Sequence, residues 1–352
     1  MKAIIDDKIP YIRPFISKLV DEAVFLPGAE ITAQDVRDAD ILIVRTRTRC
    51  NRSLLHGSRV RFIATATIGY DHLDTAYLQQ AGIRWTNCPG CNASSVGQYI
   101  HSCMLVLARE TGLALQTTTV GIVGAGHVGT DVQQKLSSLG MKCLICDPPR
   151  EQKEGNARGQ FHSLQELMEQ CQVITFHTPL VTEGPWPTLH MADASFFSAL
   201  KQRPVIINTS RGEVVDNDAL EKALADGLVR QAVIDTWEGE PRISRTLLKK
   251  VLIGTPHIAG YSADGKANAT QMVLTALCEW MGIQADFKVE PPSLPETFIP
   301  SADPLTLALQ LYDPRTDSSR LKACPEDFER IRNNSIARHG KAKSIGWIKI
   351  GN

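Results

Sequence analysis

No surplus charge of either sign runs through this sequence: Lys plus Arg and Asp plus Glu number 38 each, for a formal net charge of zero. A chain without a net field does not gather nucleic acid or an anionic membrane by charge, so neither is expected as a partner, and any anionic ligand must be held by local side chains. Long apolar runs are missing as well. The N-terminus, Met1-Lys-Ala-Ile-Ile-Asp-Asp, turns acidic after five residues, and no later stretch approaches the roughly 20 apolar residues that a membrane-spanning helix needs. A soluble cytoplasmic protein is the expectation. Internal repeats of fixed period are absent, and so is low-complexity sequence outside one Pro-rich stretch.

Nothing marks a secretory leader or a disulfide framework either. Nine cysteines in 352 residues without a signal peptide suit a reducing compartment. Two pairs, Cys88 with Cys91 and Cys143 with Cys146, have the two-residue gap common among zinc ligands. The second pair lies in Met-Lys-Cys-Leu-Ile-Cys-Asp, which reads as a buried strand. Residues three apart on a strand point to opposite faces, so these thiols are expected to fill apolar space and no metal is expected.

What is present is apolar material enough for two cores, since 43% of the residues are hydrophobic. Ala3 to Ile5, Ile41 to Val44 and Phe62 to Thr65 read as strands, with helices over Ile12 to Val20 and Leu73 to Gln80. That alternation predicts a parallel α/β sheet. A long helical pattern from Ala93 to Ala108 leads to a second series, with strands at Val120 to Val123, Val173 to Thr175, Val205 to Asn208 and Val233 to Asp235. Beyond Asp286 the texture changes. Pro291, Pro292, Pro295, Pro300 and Pro304 break regular structure and predict a linker into a C-terminal appendage. The last eighteen residues carry Arg338, Lys341, Lys343 and Lys349 and no acid, which suits a solvated tail or an anion- or subunit-contacting arm.

The most specific motif is Gly124-Ala-Gly126-His127-Val128-Gly129, set between an apolar strand and the amphipathic segment Val128 to Leu139. The first glycine permits a tight turn, the second lets backbone N–H groups reach a pyrophosphate, and the third lets the helix pack on the strand. Gly124, Gly126, His127, Val128 and Gly129 are therefore candidate dinucleotide contacts, with the helix N-terminus facing the phosphates. The next strand, Lys142 to Cys146, ends in Asp147, 18 positions past Gly129 and near the roughly 20 expected of the ribose-binding acid. A carboxylate there favours NAD over NADP, although Arg150 nearby weakens that preference.

Three segments follow at strand ends of the same half: Asn208-Thr-Ser-Arg211-Gly, Asp235-Thr-Trp-Glu-Gly-Glu240-Pro, and Thr255-Pro-His257-Ile-Ala-Gly260. The carboxyl ends of strands form the ligand crevice of an open α/β sheet, so an Arg, a Glu and a His placed there can converge. Together they supply what hydride transfer from a hydroxy acid requires. His257, with an ordinary pKa near about 6.5, is suited to remove the hydroxyl proton. Glu240 would fix its tautomer and raise its basicity, and Arg211 would clamp a substrate carboxylate. His177, in Thr-Phe-His-Thr-Pro, is the competing base, but its place where a strand meets the cofactor suggests a structural or nicotinamide-side role. His72, His101 and His127 read as packing or solvent residues. Arg45, Arg47 and Arg49 follow a strand, where at least one of them could reach a substrate phosphate, solvent exposure being the commoner fate of such arginines.

The glycine motif, the Arg211 segment, Asp235 through Glu240, and Pro256-His257 resemble the D-isomer-specific 2-hydroxyacid dehydrogenases over most of residues 1 to 285. Ala64-Thr-Ala-Thr67, Pro89-Gly-Cys-Asn-Ala93, Phe176-His-Thr-Pro179, Gly254 through Tyr261 and Leu311-Tyr-Asp-Pro-Arg315 extend the likeness. It implies two Rossmann-like doubly wound parallel-sheet domains plus a small C-terminal α+β dimerisation domain. In residue terms that is 1–93 with 258–285 for substrate, 94–257 for NAD, and 286–352 for a homodimer. It also implies NAD-dependent oxidation of a small phosphorylated 2-hydroxy acid, 4-phospho-D-erythronate, on the way to pyridoxal 5′-phosphate.

By that resemblance Arg211, Glu240 and His257 are catalytic, and Thr46, Thr67 and Tyr261 touch substrate; Arg45 is a further substrate candidate from its place after the strand, independently of the resemblance. Asp147, Thr178, Thr209, Ser210, Arg211, Asp235 and Gly260 touch NAD. The chain departs from the pattern at Thr46, where Ser is expected, at Gly69-Tyr70-Asp in place of Gly-Thr-Asp, and in ending sooner than expected, which bears on dimer contacts. Two other readings remain at this point: a dehydrogenase of another 2-hydroxy acid such as 3-phosphoglycerate or glycerate, and an NAD-sensing regulator without turnover.

Overall fold

A computed structural model describes residues 1–157, 159–292 and 303–334 of the chain. They form two compact units, the first from residues 1–92 and 262–292, the second from residues 93–261 and 303–334.

The first unit is built on five parallel strands, β1 (Lys2–Asp6), β2 (Glu22–Leu26), β3 (Ile41–Val44), β4 (Phe62–Thr65) and β5 (Arg84–Thr86), in the order β2-β1-β3-β4-β5. The central strands are apolar at nearly every position because a parallel sheet is covered on both faces. Alternation then sorts their side chains. Ile5, Ile43 and Ala64 face a cluster with Val273, Leu274 and Leu277 of the helix Ala263–Met281, while Ile4, Leu42 and Ile63 face another with Val36, Leu55 and Leu78. β2 and β5, which composition did not announce, are edge strands with no fully buried residue. The helix expected over Ile12 to Val20 is a single turn, Arg13–Ile16. Past Ser17 the chain closes with three-residue hydrogen bonds, such as Leu19 N to Ile16 O at 3.0 Å, which end an α-helix.

The second unit has six parallel strands: β6 (Thr119–Val123), β7 (Lys142–Cys146), β8 (Val173–Phe176), β9 (Val205–Asn208), β10 (Gln231–Ile234) and β11 (Ile253–Gly254). Their order is β11-β10-β9-β8-β6-β7. The helix Ala93–Thr111 covers one face against Val120, Ile122, Ile207 and Val233. The opposite face buries Val123, Ile174, Phe176 and Ile234. Cys143 packs with the first of these clusters and Cys146 with the second, as residues three apart on one strand should.

The described C-terminal residues are helical: Pro304–Leu311, Pro314–Ala323 and Phe328–Asn333, the first two capped by Asp303 and Asp313. Leu321 and Phe328 are fully buried in the second unit. Gly254 N donates to Ser318 Oγ at 3.0 Å, and Lys322 Nζ donates to Val251 O at 2.6 Å. Pro295, Pro300 and the basic residues Arg338, Lys341, Lys343 and Lys349 lie outside the described residues. Among the described residues, no helix is long and apolar enough to cross a membrane.

Candidate active site

In the second sheet the chain runs from β6 outward to β7 and then crosses back to β8 on the other side of β6. That reversal opens a crevice beyond the carboxyl ends of β6 and β8. The two loops that leave those ends touch. Gly124 has φ +86°, and a Cβ there would stand 2.8 Å from His177 O, so neither the turn nor the neighbouring strand leaves space for a side chain. Gly129 is needed for close approach, because its Cβ would fall 2.0 Å from Gly124 O.

Gly126 is different. It caps the helix His127–Ser138, its φ and ψ of −69° and −157° are open to any residue, and a Cβ would meet nothing within 4 Å. The exposed face beside Gly126 and His127 ends a helix that no side chain caps, as a phosphate cradle requires. Thr178, just past β8, has its hydroxyl oxygen buried without a hydrogen-bond partner, a donor or acceptor awaiting a ligand. These residues fit a dinucleotide.

Asp147, at the end of β7, accepts from Ala125 N at 2.7 Å through one oxygen and from Arg150 N at 3.0 Å through the other. Both bonds hold it at the mouth of the glycine turn, half-buried, with lone pairs left for ribose hydroxyls. Arg150 turns elsewhere: Nη1 donates to Ala125 O at 2.8 Å and Nε to Glu154 at 2.6 Å. Its placement therefore does not weaken the preference for NAD.

The loops after β9, β10 and β11 are neighbours because the strands are. Asn208 Nδ2 donates to Arg211 O at 2.8 Å and Asn208 Oδ1 accepts from Ser210 Oγ at 2.8 Å, which clamps the loop that carries Arg211. Gly212 lies flat on the next loop, where a Cβ would come 2.1 Å from the Trp237 carbonyl. Trp237 N donates to Glu240 Oε1 at 2.9 Å, and Glu240 Oε2 meets His257 Nδ1 at 2.8 Å. Arg211, Glu240 and His257 are thus joined through one run of contacts across three strand ends. Burial would raise the Glu240 carboxyl, but the hydrogen bond and charge of His257, the Trp237 N–H and the charge of Arg332 outweigh it and hold Glu240 below its ordinary range.

His257 occupies the left-handed region at φ +55°, an uncommon and costly conformation for a residue with a Cβ. Asp235 keeps it there. Fully buried, its carboxylate accepts from Thr255 Oγ1 at 2.6 Å, Ile258 N at 2.8 Å and Ala259 N at 2.9 Å, while His257 N donates to Asp235 O at 2.8 Å. Sequence reading singled out Asp235 for the cofactor and missed this clamp, which only the register of β10 with β11 creates.

His177 is held at both ring nitrogens, by Thr175 Oγ1 at 2.9 Å and Thr209 Oγ1 at 3.3 Å. Burial pushes it down to about 3, so it stays neutral and serves structure. His72 hydrogen bonds Thr65 within the first unit, His127 is exposed on the glycine turn, and burial lowers His101 to about 4. Gly260 and Tyr261 are half-buried directly after the His257 loop.

Arg45, Thr46 and Thr67 belong to the first unit. β3 ends at Val44, and the chain turns over residues 46–48, so strand alternation does not govern these arginines. Arg45 donates to Lys8 O at 3.2 Å, Thr46 and Arg49 are exposed, and Thr67 Oγ1 bridges Thr65 Oγ1 and Gly69 O at 2.7 and 2.8 Å.

Residues 102–259 match the family model of the D-isomer specific 2-hydroxyacid dehydrogenase, NAD binding domain. The chain is 51% identical over 350 residues to erythronate-4-phosphate dehydrogenase of Bacteroides thetaiotaomicron, covering 99% of this chain and 100% of that one. It is 42% identical over 355 residues to the enzyme of the same name from Escherichia coli O1:K1, covering 96% and 92%. Among solved structures, D-lactate dehydrogenase from Aquifex aeolicus complexed with NAD and lactic acid superposes with a TM-score of 0.65 at 23% identity, over 80% of this chain and 95% of that one. That likeness concerns the fold.

Proposed function

The chain belongs to the D-isomer-specific 2-hydroxyacid dehydrogenases, among the erythronate-4-phosphate dehydrogenases of that family, and on that premise we propose that it oxidises 4-phospho-D-erythronate to (R)-3-hydroxy-2-oxo-4-phosphooxybutanoate, a step toward pyridoxal 5′-phosphate. The observation that carries this reading is the His257–Glu240 pair at 2.8 Å beside the clamped Arg211 loop. Bound NAD supplies the acceptor for the hydride that leaves C2 of the substrate.

The chain's own residues do the rest. His257 Nε2 takes the C2 hydroxyl proton, since Nδ1 is committed to Glu240. The Glu240 carboxylate fixes that tautomer and stabilises the imidazolium that forms. Arg211 binds the substrate carboxylate and polarises the developing carbonyl. Gly124, Gly126, His127, Val128 and Gly129 cradle the pyrophosphate, Asp147 takes the ribose, and Thr178, Thr209, Ser210, Asp235 and Gly260 complete the cofactor contacts. Arg45, Thr46, Thr67 and Tyr261 are assigned to substrate. The protein acts in the cytoplasm as a homodimer, and sedimentation at micromolar concentration tests the oligomeric state.

The assay is NAD reduction by purified protein with 4-phospho-D-erythronate, run beside 3-phosphoglycerate, glycerate and D-lactate, with a 2-oxo acid added to discharge retained reduced cofactor. A clear preference for the phosphoerythronate is expected. Turnover confined to another acid overturns the substrate assignment, and NAD binding without any turnover overturns the enzymatic one.

A further inference from the structure

The helix Phe328–Asn333 carries Arg332, an arginine whose side chain is only 16% exposed. A guanidinium so buried needs partners. Its Nε donates to the Tyr261 hydroxyl oxygen at 3.1 Å, its Cζ stands over the Tyr261 ring at 5.8 Å, and its Nη1 lies 3.7 Å from Glu329. Glu240 is close enough to interact with it electrostatically. The sequence separates Arg332 from Tyr261 by 71 positions, and the residue belongs to none of the motifs that mark the site.

We propose that Arg332 is a positioning residue of the active site, fixing the Tyr261 ring and hydroxyl on the loop that follows His257. The proposal rests on the reading of Tyr261 as a substrate contact. Two interactions of different kind act on one side chain: the Nε–H directs the Tyr261 oxygen, and the guanidinium charge lies within cation–π range of the ring. With its oxygen accepting from a cation, the Tyr261 hydroxyl is a stronger donor, the polarity that an anionic substrate oxygen needs.

The same cation acts on the proton chemistry. It is faced by Glu329, Tyr261 and Glu240; Glu240 is faced in turn by His257 and the Trp237 N–H, and His257 by the Asp235 carboxylate. The Arg332 charge helps to hold the Glu240 carboxyl below its ordinary range, which keeps Glu240 the anion that meets His257 Nδ1.

The test compares R332M, R332K and Y261F, alone and as the Y261F/R332M double variant. It reads KM and kcat for 4-phospho-D-erythronate and Kd for NAD. We expect R332M to raise KM roughly tenfold, the loss of one charged hydrogen bond, with kcat changed less than KM and NAD affinity unchanged. R332K, which keeps the charge but not the Nε bond, should leave KM raised. The double variant should bind substrate no worse than Y261F.

A wild-type KM for R332M, beside a raised KM for Y261F, overturns the Arg332 proposal and leaves the function standing. A wild-type KM for Y261F overturns the substrate role of Tyr261 itself. Equal losses of NAD and substrate affinity in R332M mark a general structural fault and also overturn the proposal. If R332M does not fold, R332K decides, and a wild-type KM there is fatal to it.

Discussion

At the scale of single residues the proposed catalysis rests on three side chains from three loops, and each loop is held by hydrogen bonds to its backbone rather than by packing alone. His257→Ala should lower kcat by roughly 10²- to 10⁴-fold, the usual worth of a general base, while NAD affinity stays within about twofold, as steady-state rates and cofactor titration will show. Glu240 lies below its ordinary value of 4.5 because the bonds from His257 and Trp237 outweigh burial. On acidification the unfolded chain therefore takes up this proton first, so the stability the pair contributes is present above the ordinary value and is lost as pH falls through the lowered one. The melting-temperature deficit of Glu240→Gln at neutral pH should accordingly shrink below about pH 4. Arg211, Glu240 and His257 were legible in the sequence because each follows an apolar strand with the residue type its chemistry needs. The Asp235 clamp and Arg332 were not, since their partners are set by strand register and by a helix far along the chain.

Elements position these residues, and the glycine turn separates fold from ligand cleanly. Gly129→Ala sets a Cβ 2.0 Å from a carbonyl oxygen that cannot retreat, so both stability and NAD affinity should fall. Gly126→Ala sets one in open space. Its melting temperature should stay near that of the wild type while NAD binding weakens at least tenfold, and equal affinity in the two proteins would remove Gly126 from the cradle.

His177 ties β8 to the loop after β9, and burial pushes it down to about 3. Between its ordinary value of 6.5 and that point the unfolded chain binds the extra proton, so stability declines on acidification across this window. His177→Gln should flatten that decline while costing about 1–3 kcal/mol at neutral pH, measured by denaturant unfolding. The central strands announced themselves as apolar runs. β2 and β5 did not, because an edge strand buries too little for its pattern to stand out.

For the whole molecule, the described C-terminal helices are part of the second unit's core. Leu321→Ala or Phe328→Ala should each cost about 2–5 kcal/mol, read as a shift of the unfolding midpoint of that unit, because both side chains are fully buried in one of its two apolar clusters. A negligible shift would mean that these helices sit on the unit without supporting it. The sequence by itself determined the class of fold and the dinucleotide turn, and it singled out Arg211, Glu240 and His257 at neighbouring strand ends. Those follow from local patterns: apolar runs of strand length, glycines at turn spacing, and reactive side chains at strand ends. Only the tertiary structure decided which residues keep His257 in a left-handed backbone, where Arg150 points, and that an arginine from the C-terminal stretch supports Tyr261. Such contacts join residues distant in sequence, and no local pattern carries the energy that selects them.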